Sequence, residues 1–293
     1  MKFFMARLSF FPSIQQPLFK KRFEGSPIEL AEQLLVSNPQ YVPERKRGFV
    51  WLYFGGFIFS DDKLLAVKLG KSKEIKIPKY DQQTKDFLEE TDTSYPFVYM
   101  LWDRDEQVIL LEKKTTVFPI YENVFRSIED HLNRLLISYG LSVSIAPIVE
   151  KRNFWKYIKT YKFIYDINFK LYVPNFFGYT QKDLKEFLES YKDKYNAMEI
   201  SAQISNKNGF LRVSENDPEI NKNLEWIEKG GGEWHITAKQ TEHSKKVKIK
   251  SIQNAKTVTT EIEIENYTME EVKNIIESLR EEYSTKDKNT GDK

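Results

Sequence analysis

One uncharged run stands out in the hydrophobic pattern of the chain, the stretch from Phe49 to Phe59. A half-exposed strand alternates apolar and polar residues, whereas this run is continuous, which predicts a strand buried on both faces. The run is much shorter than the roughly 20 residues that a membrane-spanning helix needs. Gly55 and Gly56 lie in its middle and indicate a bulge, a bend or a close approach of another backbone.

Apolar residues at helical spacing predict a long amphipathic helix from Tyr121 to Tyr139, with Gly140 as its stop. Start signals indicate further helices, because a Ser, Thr or Asp is followed either by proline or by an acid three residues later. These signals begin at Ser26, Thr180, Asp217 and Thr268.

Shorter apolar or alternating runs predict strands. They cover residues 1–11, 64–68, 74–77, 95–102, 108–111, 141–149, 163–173, 197–204, 210–213 and 234–238. Residues 81–94 are polar and acidic, which predicts an irregular surface segment. The sequence therefore predicts an α+β fold of mixed, mainly antiparallel sheets with helices packed on them, in two lobes. We expect a β-rich lobe at 1–118, an α+β lobe at 119–283 and a disordered tail at 284–293.

Two oppositely charged stretches near the C-terminus alternate with the same period. Lysines alternate with Val and Ile at 246–250, and glutamates alternate with Ile at 261–265. Folded as an antiparallel hairpin, the two stretches would set each lysine opposite a glutamate, and each such pair adds about 0.2–1 kcal/mol. The pattern thus predicts lysines that are largely neutralised by their own hairpin partners.

Composition removes several classes of function. The chain of 293 residues has no cysteine, which excludes disulfides, thiolate catalysis and cysteine zinc sites. Three histidines are too few for a histidine-rich metal site, and we predict neither a metal site nor a cofactor. The formal net charge of +2 gives no global attraction to nucleic acid or membranes. Arg7 interrupts the apolar N-terminus and no small-residue cleavage site follows, which favours a cytoplasmic protein without membrane contact.

Residues 151–162 carry five positive charges and four aromatic rings with no acid among them. Cations bind a phosphate backbone and rings stack on unpaired bases, so this stretch is the candidate surface for nucleic acid or an acidic protein partner. As a helix it could equally turn its rings to the core and its cations to water. Lys20–Arg22 and Arg45–Arg47 could extend the surface. The contact residues proposed from sequence are Lys151, Arg152, Trp155, Lys156, Tyr157, Lys159 and Lys162.

Two histidines are candidates for a general base. His235 follows Trp234 in a predicted strand and has Glu233 beside it in the sequence, while His131 lies among apolar helix residues and is typical of a core histidine. The acids Asp103, Asp105 and Glu106 share a predicted hairpin turn. Such acids could hold magnesium, but solvation of the turn is the commoner reason for them.

The order of several segments gives a resemblance to a known group. Residues 95–99 and 109–112, the helix from Tyr121 and the stretch 206–213 recur in that order in bacterial and prophage proteins that share a domain of unknown function. The chain resembles this group along most of its length, and some members lie near phage-defence genes. The resemblance implies a cytoplasmic role in phage defence or a related conflict system, and it implies no reaction and no catalytic residues.

The sequence as a whole predicts a binding component of a bacterial anti-phage defence system, which contacts nucleic acid or a partner protein through 151–162. An effector nuclease that acts on RNA is the first alternative. His235 or His131 would be its general base, and a nearby lysine would stabilise the phosphorane. The second alternative is a structural subunit of a larger complex. The oligomeric state stays open.

Overall fold

The computed structural model describes residues 1–13, 20–44, 50–60, 63–173, 182–195 and 197–284. Within these ranges the chain forms six α-helices and fourteen strands, and every strand ladder is antiparallel. The predicted α+β class is therefore confirmed. None of the described helices is both long enough and apolar enough to cross a membrane.

The elements are numbered in chain order. The strands are β1 (Lys2–Pro12), β2 (Gln40–Tyr41), β3 (Leu52–Phe59), β4 (Leu64–Gly70), β5 (Lys73–Asp81), β6 (Asp86–Ser94), β7 (Phe97–Asp103), β8 (Val108–Glu112), β9 (Leu141–Pro147), β10 (Phe163–Tyr172), β11 (Glu199–Ser205), β12 (Gly232–Lys239), β13 (Val247–Lys250) and β14 (Thr257–Thr259). The helices are α1 (Pro27–Ser37), α2 (Tyr121–Leu136), α3 (Lys151–Thr160), α4 (Lys182–Tyr195), α5 (Pro218–Glu228) and α6 (Met269–Arg280).

The larger sheet has the strand order β14-β1-β8-β7-β4-β3-β2, and β9 also pairs with β1. Alternate side chains of each strand enter two different cores. On one face the sheet packs against α1 and α2, and on the other it packs against α6. Helices on both faces explain why β1, β4 and β7 are apolar along most of their length.

The smaller sheet has the order β11-β10-β12-β13. Its inner face packs against α3 and α5 around a separate aromatic core, in which Phe154 contacts Phe169 and Trp234 at ring-centroid distances of 5.7 and 5.4 Å. Its outer face carries the polar residues of each strand, so β12 shows a strict alternation of buried and half-buried positions. This polar face is the part of the fold that positions His235.

The boundary near residue 118 stays a prediction. Elements on the C-terminal side of residue 118 contribute to both sheets. In the larger sheet, β9 and β14 pair with β1, while α2 and α6 pack on its two faces. The smaller sheet and its helices are formed by the chain between Val149 and Ile252. The chain thus leaves the larger sheet after β9 and returns to it at β14.

The uncharged run predicted to be buried on both faces is only partly buried. Leu52 and Phe54 are buried, but Phe59 is 44% exposed. The reason is topological, since β3 lies next to the sheet edge. The edge strand β2 is only two residues long and pairs with only two residues of β3. The predicted irregularity is confirmed, because the pairing of β3 with β4 shifts between Gly55 and Ile58 and Gly56 has a φ of +60°.

The lysine–glutamate hairpin predicted for 246–250 and 261–265 is wrong. Strand β13 pairs instead with β12, with Lys250 opposite His235 and Lys248 opposite Thr237. Residues 261–265 form no strand, and Ile262 and Ile264 pack against the core of the larger sheet under α6. Burial of these two isoleucines outweighs the small gain from exposed charge pairs. The lysines of β13 therefore lack the glutamate partners that the charge pattern predicts.

The irregular segment predicted for 81–94 is also wrong. Strands β5 and β6 form a regular two-stranded hairpin over nine cross-strand pairs, from Lys73 opposite Ser94 to Asp81 opposite Asp86. Ion pairs of Lys76 with Glu89 and of Lys79 with Glu90 lie across the ladder. Neither strand pairs with either of the other two sheets.

The acidic turn between β7 and β8 anchors the C-terminal helix. Asp103 is fully buried, and it accepts hydrogen bonds from Nε and Nη2 of Arg280 at 3.0 Å each and from the Tyr283 hydroxyl at 3.0 Å. The Ser284 hydroxyl donates to Glu106 at 2.9 Å. These bonds rather than solvent account for the acids of the turn. The predicted disordered tail lies, from residue 285 onward, outside the described residues.

Candidate functional site

The helix α3 turns its largest rings to the core. Phe154 is fully buried and Trp155 is 6% exposed, so neither ring can stack on a base in this conformation. Tyr157 is half-buried and its hydroxyl donates to Asn254 Oδ1 at 2.9 Å. The rings predicted to contact a partner are thus mainly packing residues, as expected for the inner face of an amphipathic helix.

Most cations of α3 are paired with nearby glutamates. Lys151 Nζ lies 3.1 Å from Glu225 Oε1, Arg152 binds Glu150 with both Nε and Nη2, and Lys159 Nζ lies 2.8 Å from Glu215 Oε1. Two further cations are exposed. These are Lys156, which has no carboxylate within 4 Å among the described residues, and Lys162, whose ammonium lies 5.5 Å from the Phe163 ring centroid.

A groove runs beside α3, and it is called the α3 groove below. Its volume is about 700 Å³. The lining residues are Lys151, Arg152, Trp155, Lys156, Lys159, Thr160, Glu215 and Glu228. Four cations against two carboxylates give this lining a net charge of +2. The structure thus brings together five of the seven predicted contact residues at one concave surface, with Tyr157 and Lys162 outside it.

The two other basic stretches are placed differently. Lys21 packs its ammonium 5.7 Å from the Tyr139 ring centroid, and its backbone N–H donates to Ser138 O at 2.9 Å. Lys20–Arg22 therefore lies beside the turn that follows α2. Arg45–Arg47 lies outside the described residues. Lys20, Lys21 and Arg22 do not line the α3 groove.

His131 is a core residue. It is 5% exposed, its Nε2 is 2.9 Å from Asn38 O, and its ring stacks on Phe54 with a centroid distance of 5.6 Å. Burial lowers the pKa of His131, because a charged imidazole would lose its hydration. A histidine held in this way does not reach a substrate, so of the two candidates only His235 lies at a surface.

His235 lies in the middle of the outer face of the smaller sheet. In the register it lies opposite Asn168 on one side and Lys250 on the other, and directly opposed residues share a face. Its Nε2 is 3.6 Å from Glu233 Oε2. Burial acts to raise the pKa of Glu233, but the hydrogen bond with His235 and nearby cations outweigh it and lower the pKa.

The edge strand of this face and the two residues just before it carry unpaired cations. Lys245, Lys246, Lys248 and Lys250 have no carboxylate within 4 Å of their ammonium groups among the residues that the structure describes. Lys246 Nζ instead lies 3.8 Å from the ring centroid of Tyr165. On its outer side β13 has no neighbouring strand in the described sheet. His235, Asn168 and this lysine edge therefore form one continuous polar surface, called the β13 face below.

The sequence contained the signal for the β13 face. Alternation at 246–250 correctly indicates a strand with lysines on one side, but strand periodicity does not identify the neighbouring strand. The matching alternation at 261–265 predicts the wrong pairing, and therefore wrongly predicts that the lysines are neutralised. The juxtaposition of His235 with Lys250 depends on the register, which the sequence alone does not specify.

A second polar cavity lies between the two sheets. Its volume is about 470 Å³, and Glu129 lines it together with Asn133, Ser142, Ser144 and Glu199. Glu129 Oε2 accepts the backbone N–H of Ile145 at 2.7 Å. Burial raises the pKa of Glu129 to about 7. Within the described residues, no group of three or more His, Asp or Glu side chains is placed to hold a metal ion.

No protein-family model matches the chain, and no curated protein matches it in sequence. The function is therefore argued from the contacts of the described residues.

Proposed function

We propose that this chain is a binding component that contacts single-stranded nucleic acid along its β13 face. The observation that carries the proposal is the row of lysines on and beside β13 without carboxylate partners among the described residues. A row of unpaired ammonium groups attracts phosphates, and each phosphate contact releases counterions, which favours binding at low salt.

The residues beside the lysine row have the chemistry that bases require. Asn168 and Gln203 occupy neighbouring positions of β10 and β11 on the same face as His235, and their amides can donate to and accept from base edges. Tyr165 supplies a half-exposed ring next to Lys246. Unpaired bases are accessible to such side chains, whereas duplex bases are stacked inside, which favours a single strand.

The biological setting is proposed on separate grounds. The resemblance to bacterial and prophage proteins near phage-defence genes supports a cytoplasmic role in defence against phage, in which the chain would bind foreign or damaged nucleic acid. The contacts described above support binding to nucleic acid, and they do not depend on the phage-defence setting.

We expect the double variant Lys246→Gln/Lys248→Gln to bind labelled single-stranded RNA at least about tenfold more weakly than the wild type at low salt. Both lysines are exposed, so their neutralisation leaves the fold intact. Loss of two phosphate contacts should also reduce the slope of log K against log salt by about 1.4. Fluorescence anisotropy titrations at several salt concentrations measure both quantities, with single-stranded DNA and duplex DNA as competitors.

The variant Lys156→Gln provides the comparison, because Lys156 is an exposed lysine of the α3 groove. It should bind as tightly as the wild type. If Lys156→Gln weakens binding and the β13 variant does not, α3 is the nucleic-acid surface and the β13 proposal is wrong. If the wild type binds none of the nucleic acids at low salt, the proposal fails, and a partner protein or a structural role in a larger complex takes its place.

One observation favours a second candidate function, cleavage of RNA. His235 has an acid 3.6 Å away in Glu233 and a cation opposite in Lys250, which are the parts of a general-base site for a phosphodiester. His235 would take the proton of a ribose 2′-hydroxyl, whose oxygen attacks phosphorus. The 5′-oxygen leaves and takes a proton from solvent, and Lys250 stabilises the charge on the phosphoryl oxygens.

Under this second function, His235→Gln should lower the cleavage rate by about 10²–10⁴-fold and leave RNA affinity nearly unchanged. The matched control is His243→Gln, because His243 is exposed and lies outside the face. Gel electrophoresis of end-labelled RNA in EDTA measures the rate, and products with 2′,3′-cyclic phosphate ends are expected. Intact RNA in the wild-type reaction, or equal rates for both variants, would rule out this function.

A further inference from the structure

An exposed aromatic ring lies at one end of the β13 face. Phe210 comes directly after the turn at 206–209 that follows β11, and its side chain is 64% exposed. Its ring centroid lies 5.8 Å from that of Phe163, with 60° between the ring planes. Phe163 is opposite Lys239, which lies on the same side of β12 as His235. The contact with Phe163 therefore places Phe210 at the end of the β13 face.

Main-chain hydrogen bonds hold Phe210 in position. The N–H of Ile164 donates to Gly209 O at 2.9 Å, and the N–H of Leu211 donates to Ile164 O at 3.2 Å, so both neighbours of Phe210 are bound to β10. Leu211 also packs against the aromatic core of the smaller sheet. An exposed ring on a fixed backbone loses little conformational freedom when a ligand binds to it, which lowers the cost of binding.

Lysines lie beside these rings. Lys162 Nζ is 5.5 Å from the Phe163 ring centroid, and Lys239 Nζ donates to the backbone carbonyl of Glu242 at 3.3 Å. In the part of the chain that the structure describes, neither ammonium has a carboxylate within 4 Å. Cations beside an exposed ring are typical of surfaces that bind single-stranded nucleic acid, because the ring stacks on a base while the cations contact phosphates.

The rings are continuous with the lysine row of β13. At the end of this row, Lys246 Nζ lies 3.8 Å from the Tyr165 ring centroid. The Tyr165 ring packs on Gly209, which has a φ of +81°, and a Cβ at Gly209 would lie 2.8 Å from Tyr165 Cζ. Tyr165 is thus in contact with Gly209 and Lys246, whereas most of the Phe210 ring is open to solvent.

Asp166 is an acid on the same face, opposite Thr237 of β12. The side-chain amide of Gln203 donates to its carboxylate, and its distance from the ammonium groups of Lys162, Lys239 and Lys246 exceeds 4 Å. The lysines around the rings are therefore not held in ion pairs and can contact a phosphate.

We propose that an unpaired base of the bound strand stacks on Phe210 while neighbouring phosphates contact Lys246, Lys239 and Lys162. The inference rests on the proposed nucleic-acid contact and adds to it the residue that holds a base. The strand follows β13, crosses the end of β12 at Lys239 and reaches the ring beside β10. Every base has an aromatic face, so this contact discriminates little among the four bases.

Fluorescence anisotropy titrations of Phe210→Ala with labelled single-stranded RNA test the stacking. The variant should bind at least about fivefold more weakly than the wild type, because one contact between a base and a ring is lost. The slope of log K against log salt should stay that of the wild type, since an uncharged ring releases no counterions. Lys246→Gln/Lys248→Gln, in contrast, should reduce this slope. Circular dichroism verifies that each variant is folded.

Two controls separate stacking from other effects. Phe87→Ala removes a ring that is 73% exposed on the β5–β6 hairpin, and it should bind RNA like the wild type. An abasic strand of the same length keeps the phosphates but has no bases to stack. The wild type and Phe210→Ala should therefore bind the abasic strand equally well.

Three results would overturn the inference. If Phe210→Ala binds RNA as tightly as the wild type while the β13 variant binds more weakly, no base stacks on Phe210 and the proposed nucleic-acid contact stands. If Phe210→Ala weakens binding of RNA and of the abasic strand by the same factor, the ring acts through the fold and not through a base. If the wild type binds no nucleic acid, both proposals fail, and a protein partner takes the place of the base at the exposed ring.

Discussion

Replacement of Arg7 by methionine is expected to lower the free energy of unfolding by about 3–5 kcal/mol. Arg7 is fully buried in β1, and its guanidinium donates to three backbone carbonyls. Nε donates to Lys229 O at 2.5 Å, Nη1 to Glu106 O at 2.5 Å and Nη2 to Tyr283 O at 3.2 Å. These oxygens belong to the end of α5, the turn before β8 and the residues after α6.

Two effects oppose each other in this variant. Methionine fills the space of the aliphatic stem and removes a buried charge, which is favourable. The three acceptors are backbone carbonyls that no side-chain substitution removes, and each buried carbonyl left without a donor costs about 1–3 kcal/mol. The loss exceeds the gain because three acceptors depend on one donor group. Arg7 also joins both sheets and the C-terminal segment, so we expect the whole fold to lose stability.

Urea denaturation measures the effect, provided that the slope m is unchanged. The matched control is Arg126→Met, which makes the same chemical change at an exposed position of α2 and should alter the free energy of unfolding by less than about 0.5 kcal/mol. A loss below about 1 kcal/mol for Arg7→Met would contradict the argument and would mean that water or repacking satisfies the carbonyls.

The elements that the sequence predicts correctly carry their information locally. The helix α2 follows the predicted spacing, and a 3₁₀ turn from Ile137 to Tyr139 continues it to Gly140, which has a φ of +68°. The capping boxes at Ser26 and Thr268 both form. A helix start depends on side chains three residues apart, so a single sequence contains what determines it.

Two of the errors concern choices between distant segments. The lysines of β13 can pair with any acidic strand at comparable energy, and the structure instead places them at a sheet edge because Ile262 and Ile264 pack under α6. The acidic stretch 81–94 has few apolar residues, yet its pairing with β5 orders it as a strand. Both outcomes depend on tertiary contacts that periodicity does not contain.

The candidate sites show the same difference between local sequence signals and contacts of distant segments. The amphipathic character of α3 is readable from its sequence, including the alternative in which its rings face the core. The net charge of its surface cannot be read in the same way. The glutamates that pair with its lysines, Glu215 and Glu225, come from a part of the chain more than fifty residues away. The β13 face combines residues of three strands, and their register decides that His235 meets Lys250.

Stability is expected to depend on pH through Glu129. Burial raises the pKa of Glu129 in the folded protein to about 7, against an ordinary value of 4.5. Between these two values the folded state keeps a proton that the unfolded chain releases. The contribution of Glu129 to stability is therefore complete below about pH 4.5 and is lost as the pH rises to about 7, where the total loss is about 3 kcal/mol.

The variant Glu129→Gln isolates this contribution. A glutamine keeps an oxygen that can accept the N–H of Ile145 and has no charge to bury, so the variant should not lose stability as the pH rises. His131 acts in the opposite direction below about pH 6.5, since burial lowers its pKa, but it is present in both proteins and cancels in their difference.

The difference in unfolding free energy between Glu129→Gln and the wild type should therefore grow in favour of the variant from pH 5 to pH 8, by about 2–3 kcal/mol. Urea denaturation at each pH measures it. The control Glu277→Gln changes an exposed glutamate of α6, and its difference from the wild type should stay nearly constant over this range. Parallel pH profiles for Glu129→Gln and the wild type would show that Glu129 is charged at neutral pH, which requires a cation or water in the cavity between the sheets that offsets its burial.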